Sequence, residues 1–360
     1  MYQLQNPLAA ASKITLALAL GLSILASNGL AQEKQTPESQ TKVQYHTVKV
    51  QGLDIFYREA GSPDKPTLLL LHGFPTSSHM FRELIPKLAE DFHLIAPDYP
   101  GFGNSSMPLV KDFDYSFDNL AKVVETFTEE LKLERYSLYV MDYGAPIGFR
   151  LASAHPERVQ SLIIQNGNAY TEGLDNNFWE PIKQYWIDRN AVNKGLDNAW
   201  WKNVKAAYKQ PNMKNIDALG FLVTMGATQW QYKNGTRNPE AISPDNWHMT
   251  QLLLDRPGNK AIQMELFHSY GTNVPLYPAW QEYFRKFQPP TLILWGAKDE
   301  IFPAAGAHPY RRDLKDLEMH LLDTGHFALE EDVTIMAKFI KRFLTAKVSK
   351  RNRHAGHTAR

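Results

Sequence analysis

The chain has 360 residues, with 39 lysines and arginines against 38 aspartates and glutamates, and a formal net charge of +1. That balance lacks the basic excess a nucleic-acid partner demands, while 43% hydrophobic residues suffice for a large buried core. Cysteine is absent, which excludes disulfides, thiolate catalysis and cysteine-bound zinc.

In chain order, the start differs from the rest. Lys13 precedes an apolar run, Ile14 to Ala26, and small residues follow up to Ala31. This pattern predicts a signal peptide over 1–31, cleaved after Ala31, and hence a periplasmic or secreted protein. The apolar run is too short for a stable membrane span. Residues 32–42, polar and with Pro37, read as a linker.

The first part of the core is expected over 43–168. His46–Val50 and Asp54–Arg58 alternate apolar and polar residues around Gln51-Gly52, which predicts a hairpin. Thr67–Leu71 is a continuous apolar run, as in a strand buried on both faces, and it enters His72-Gly73-Phe74-Pro75. Phe81–Ala89 has helical spacing. His93–Ala96 is a short strand leading into Pro97-Asp98-Tyr99-Pro100-Gly101. Phe117–Leu131 reads as a helix with Ser116 as its cap. Tyr136–Met141 and Ser161–Gln165 read as strands, with a helix over Ala145–Ala154 between them. Strands alternating with helices predict an α/β fold, a mostly parallel sheet with helices on both faces.

The rhythm changes over 169–289, where seven of the eight tryptophans lie. Phe178, Ile182, Tyr185 and Trp186 have amphipathic spacing, so the segment reads as an inserted helical cap. A cap at the strand-end edge of an α/β sheet covers a site. Its aromatics suggest an apolar cavity, with Trp179 and Trp186 as expected substrate-binding walls. The core resumes over 290–346 with strands Thr291–Trp295 and Met319–Leu322 and a closing helix, Asp332–Leu344. The basic stretch 347–360 lacks apolar periodicity and reads as a disordered tail.

Three strand-end loops carry the chemistry. Val140-Met141-Asp142-Tyr143-Gly144 lies at a strand-to-helix junction, the setting of a nucleophile elbow. Gly144 supplies the small residue on one side, whereas Val140 is bulkier than the usual glycine. The following helix amides would favour an anion at Asp142, although a helix-capping aspartate fits the same pentapeptide. Asp299 follows the strand ending at Trp295, and His326 follows the strand ending at Leu322. The order Asp142, Asp299, His326 is nucleophile, acid, histidine. The loop after Gln165 offers Asn166, Gly167 and Asn168 but no carboxylate, so Asp299 is the better orienting acid. The backbone amides of Phe74 and Tyr143 are placed to form an oxyanion hole.

From about residue 43 to 346 the chain resembles the epoxide hydrolase and haloalkane dehalogenase branch of the α/β-hydrolase fold. HGFPTSS, PDYPGFGNS, VMDYG, WGAKDEIFP and DTGHF carry the resemblance. It implies Asp142 as a nucleophile that forms an alkyl ester with substrate carbon. His326, oriented by Asp299, would act as general base on water. The partners are then a small apolar substrate and water, with no metal or organic cofactor required.

Dehalogenases of this branch usually hold the halide with a tryptophan after the nucleophile, often helped by asparagine or glutamate in the HG-x-P motif. Those places hold Tyr143 and Phe74 here. The arginines that fluoroacetate-type dehalogenases place after the nucleophile are also missing. Epoxide hydrolases often carry phenylalanine in HG-x-P and use cap tyrosines as proton donors, for which Tyr185 and Tyr270 are the candidates. Tyr208, Tyr232 and Tyr277 compete with them. The expected reaction is epoxide to vicinal diol. Haloalkane dehalogenation, a binding protein without turnover, and cofactor-free chemistry of another kind remain open.

Overall fold

The structure, a computed structural model, describes residues 41–191, 199–207 and 218–355. The expected signal peptide, most of the linker, Tyr208 and residues 356–360 lie outside the described residues. Among those described, eight strands form one sheet in the order β1-β2-β4-β3-β5-β6-β7-β8. They are β1 Gln44–Val50, β2 Leu53–Ala60, β3 Thr67–Leu71, β4 His93–Pro97, β5 Tyr136–Met141, β6 Val159–Gln165, β7 Thr291–Gly296 and β8 Leu317–Leu322. The β1–β2 and β2–β4 pairs are antiparallel, and every pair from β4 to β8 is parallel.

The hairpin turns at Gln51 and Gly52, whose φ values of 51° and 83° match the twist of the flanking strands. The central strands are apolar throughout because both faces are covered. Leu69 and Leu71 join one buried cluster, and Leu68 and Leu70 the other. On β5, Leu138 and Val140 face the first cluster while Tyr139 and Met141 face the second. The alternation follows from the two-residue period of a strand.

The first core helices are α1 Leu84–Leu88, α2 Phe117–Glu130 and α3 Gly144–Ala154. Ser116 caps α2 by accepting from the Asn119 amide at 3.2 Å. Between β6 and β7 the described residues are helical or irregular, with no strand. They hold α4 Trp179–Ile187, α5 Ala199–Ala207, α6 Ala218–Leu222, α7 Met225–Lys233, α8 Pro244–Leu254, α9 Asn259–Ser269 and α10 Tyr277–Phe287. A one-turn helix, α11 Tyr310–Asp313, precedes β8, and α12 Leu329–Ala355 closes the chain.

Over 347–355 the last element corrects the reading of a disordered tail, because α12 continues to Ala355. Val348 is buried in the cluster that contains Ile340, Phe343 and Leu344. The apolar stripe therefore outlasts the point where basic residues begin. Lysine and arginine are good helix formers and suit a helix C-terminus.

Candidate active site

Asp142 stands between β5 and α3 with a φ of 50°, a left-handed conformation that a non-glycine residue seldom adopts. The sharp turn works because backbones approach closely around it. A Cβ on Gly144 would lie 2.2 Å from the Leu71 carbonyl oxygen. The bulk of Val140 is accommodated by Gly148 on α3, where a Cβ would lie 2.5 Å from the valine Cγ1.

The strained turn aims the Asp142 carboxylate at two amides. Its Oδ1 accepts from the Phe74 amide at 2.7 Å and from the Tyr143 amide at 2.6 Å. Its Oδ2 faces His326 Nε2 across 3.9 Å. That gap is too long for a hydrogen bond, and Nε2 has no partner among the described residues. On the other side of the ring, His326 Nδ1 bonds Asp299 Oδ2 at 2.8 Å.

Asp299 is itself held from two directions. The Ile301 amide donates to Oδ1 at 2.7 Å. Asn166 Nδ2 donates to Oδ2 at 2.7 Å, and Asn166 Oδ1 accepts from the Gly296 amide at 2.9 Å. The loop that carries no acid thus secures the acid of the next strand. The His326 carbonyl accepts from Gln165 Nε2 at 3.1 Å, which ties the histidine loop to β6.

Asp142, Asp299 and His326 are each at most 5% exposed. Burial disfavours the charged carboxylate and pushes Asp142 up to about 6, against the opposing pull of His326 and the two amides. Burial alone would lower His326, but the adjoining Asp299 carboxylate outweighs it and the net shift is upward. Each group perturbs the other, as expected of a functional cluster.

A narrow pocket with about 380 Å³ of empty space opens over Asp142. Its walls include Phe74, Tyr143, Trp179, Gln231, Phe267 and Tyr270. Tyr270 is fully buried, and burial, then the neighbouring Tyr277 and Asp142, raise its hydroxyl well above the ordinary tyrosine value. The Tyr277 oxygen accepts from Asn168 Nδ2 at 3.0 Å. That amide nitrogen also donates to the Tyr170 carbonyl, so it is fixed as a donor. A hydrogen bond with Tyr277 further favours the protonated form of Tyr270.

Two sequence candidates do not reach the pocket. Tyr185 and Trp186 lie on α4 beyond Ile182, the last residue of that helix on the wall. Tyr185 packs edge-on against His268 at 5.7 Å. Trp186 stacks behind Tyr270 at 6.0 Å and donates its Nε1 to the Phe267 carbonyl. The helical period places Trp179 and Ile182 on one face, and the next turn passes the pocket. Trp179 does line it, with its Nε1 bonded to the Ile301 carbonyl at 2.7 Å. Sequence reasoning missed Asn166 as a support for Asp299, Gln231 on α7, and the Tyr143 hydroxyl, which is buried without a partner among the described residues. No motif marks any of these three roles.

A parallel sheet that gathers a strained strand-to-helix carboxylate, an acid and a histidine at its strand ends is the architecture of an α/β hydrolase. The family model described as the alpha/beta hydrolase fold matches residues 66–333, and the chain belongs to that family. It is similar to an uncharacterized hydrolase of Saccharomyces cerevisiae, 41% identical over 297 residues, covering 82% of this chain and 95% of that one. It is also similar to a haloalkane dehalogenase of Mycobacterium marinum, 38% identical over 116 residues, covering 32% of this chain and 39% of that one. Among solved structures, the epoxide hydrolase CorEH shares the fold with a TM-score of 0.61 at 21% identity, over 85% of this chain and 99% of that one. The protein is a hydrolase of this fold.

Proposed function

We propose that the protein hydrolyses epoxides to vicinal diols through an ester on Asp142. The observation that carries this reading is the division of labour within one carboxylate. Oδ1 is held by two amides, and Oδ2 points toward an unpartnered imidazole nitrogen. Oδ2 attacks an epoxide carbon, the C–O bond breaks, and the alkoxide takes a proton from Tyr270. Water then enters the gap beside His326 Nε2, gives up a proton to it, and attacks the Asp142 carboxyl carbon. Negative charge develops on Oδ1, where the Phe74 and Tyr143 amides already point. Each such donor is typically worth about 3 kcal/mol in the transition state. The ester C–O bond then breaks, the departing oxygen takes the second proton of the same water so that the diol leaves with the carboxylate restored, and the proton on His326 returns through solvent to the Tyr270 phenolate.

The lining favours an epoxide over a halide. An alkoxide leaving group requires an acid, and the buried, protonated Tyr270 supplies one. Of the two described side chains with N–H groups in the lining, the indole of Trp179 is already bonded to backbone, so a halide would have only the Gln231 amide to hold it. The dehalogenase match over 116 residues supports haloalkane hydrolysis as the second reading. A paired assay on styrene-oxide-type epoxides and bromoalkanes decides between them. Diol formation without halide release is expected, and halide release without diol formation overturns the epoxide reading.

Export belongs to the same proposal and rests on the Lys13, Ile14–Ala26 and Ala31 pattern. N-terminal sequencing of the mature protein is expected to begin at Gln32. A mature chain that retains residues 1–31 contradicts export by cleavage.

A further inference from the structure

Gln231 sits on the cap wall of the pocket, on α7. It is 3% exposed, and its Nε2 has no hydrogen-bond partner among the described residues. Its neighbours on the same helix are different. The Thr228 hydroxyl donates to Gln251 Oε1 at 2.8 Å, and the Tyr232 hydroxyl bonds Thr250 at 2.9 Å. The cap therefore satisfies the other buried polar side chains of this turn and leaves the one that faces the cavity. A buried amide without a partner is destabilising, and an apolar residue would remove that cost. An unsatisfied buried group calls for an explanation, and on a cavity wall a ligand atom can supply the missing partner.

The surroundings define the ligand's chemistry. Phe178, Ile182, Leu222, Phe267 and Ile301 supply apolar wall, and Asp142 is the ionisable acid in the lining. Among the described residues no lysine, arginine or histidine is in the lining, and the nearby His326 already faces Asp142, so an anionic substrate would meet the Asp142 carboxylate with no further counter-charge. A carboxamide N–H in an apolar wall suits a neutral oxygen acceptor. We propose that Gln231 is a specificity residue that binds an ether, hydroxyl or carbonyl oxygen of the substrate. The substrate class is then a small apolar epoxide bearing a second, neutral oxygen function away from the ring. This rests on the reading of the pocket as the reaction chamber.

Two measurements on the full chain test it. The first compares a glycidyl ether with its all-carbon analogue, in wild type and in Gln231→Met, which keeps the volume and removes the amide. The ratio of kcat/KM, ether over carbon, is expected to fall about tenfold in the variant; an unchanged ratio overturns the assignment. The second needs no turnover. It follows tryptophan fluorescence on titration with a phenyl alkyl ketone and with the same molecule carrying C=CH2 in place of C=O. Gln231→Met is expected to lose the wild-type preference for the ketone. If wild type opens neither epoxide, the hydrolysis proposal fails, and the ketone preference still decides the role of Gln231. Thermal denaturation completes the comparison. Gln231→Met is expected to melt no lower than wild type, because no protein hydrogen bond is removed. A clear fall in Tm shows that the amide holds the cap together, and overturns a ligand-binding role.

Discussion

His326 Nε2 stands 3.9 Å from Asp142 Oδ2, with both side chains buried and no hydrogen bond between them. A contact of 2.8 Å on the opposite edge of the ring fixes the imidazole to Asp299. The histidine is thus anchored on one side and open on the other. This suits a base that acts on water next to the carboxylate rather than on the carboxylate itself.

The pH dependence follows from the directions of the two shifts. Asp142 must be ionised to attack, and burial has pushed it up to about 6. Alkylation therefore falls as pH drops through about 6. His326 must be neutral to accept a proton, and its value is raised above the ordinary 6.5. Ester hydrolysis therefore falls off at a higher pH than alkylation. Rapid-quench kinetics that separate the two half-reactions should give two acid limbs in that order. In His326→Gln the imidazolium that lowers Asp142 is gone, so the alkylation limb should move upward.

Tyr270→Phe should slow epoxide opening by about 10²–10⁴-fold, the range for loss of a general acid, and leave hydrolysis of a preformed ester nearly unchanged. Tyr185→Phe should leave both steps intact, because that ring packs against His268 rather than the pocket. Single-turnover rates of the two variants test this. Equal losses in both would contradict the assignment of Tyr270.

Asn166→Ala removes a donor to Asp299 and an acceptor from the Gly296 amide. Leaving a buried backbone amide unpaired costs about 1–3 kcal/mol. With one donor fewer, the Asp299 carboxylate attracts the imidazole proton more strongly. Urea denaturation should show the lost stability, and the hydrolysis limb should move to higher pH. A stability loss without that movement would make Asn166 a purely structural residue.

Gly148→Ala should cost about 1–3 kcal/mol through overpacking against Val140. Val140→Ala should recover much of that loss in the double variant, because the two positions touch. Denaturation of the four members of the cycle measures the coupling. Additive losses would show that Val140 is not what Gly148 accommodates.

The core strands were legible because a strand covered on both faces must be apolar throughout, and 67–71 and 136–141 have that pattern. The three loop residues were legible because each lies on a loop that follows a core strand, although the strand before His326 is itself partly exposed. The cap was legible only as a change of rhythm. Tyr185 and Tyr270 look alike in sequence, and only the packing of α4 against α9 separates the tyrosine on the wall from the one beyond it. Val140 seemed too large for its turn until Gly148, eight residues on, was seen to make room. Asn166 showed only the absence of an acid, since its bond to Asp299 joins loops that follow different strands. Gln231 lies between Trp230 and Tyr232 with no spacing to mark it, and its importance lies in a missing partner.

The most direct test incubates His326→Gln with an epoxide substrate and measures the intact mass of the protein, followed by peptide mapping. Attack without hydrolysis predicts a stable adduct of one substrate mass on the peptide containing Asp142, absent in Asp142→Ala. An unmodified protein, when the wild type turns the same substrate over, would contradict covalent attack by Asp142.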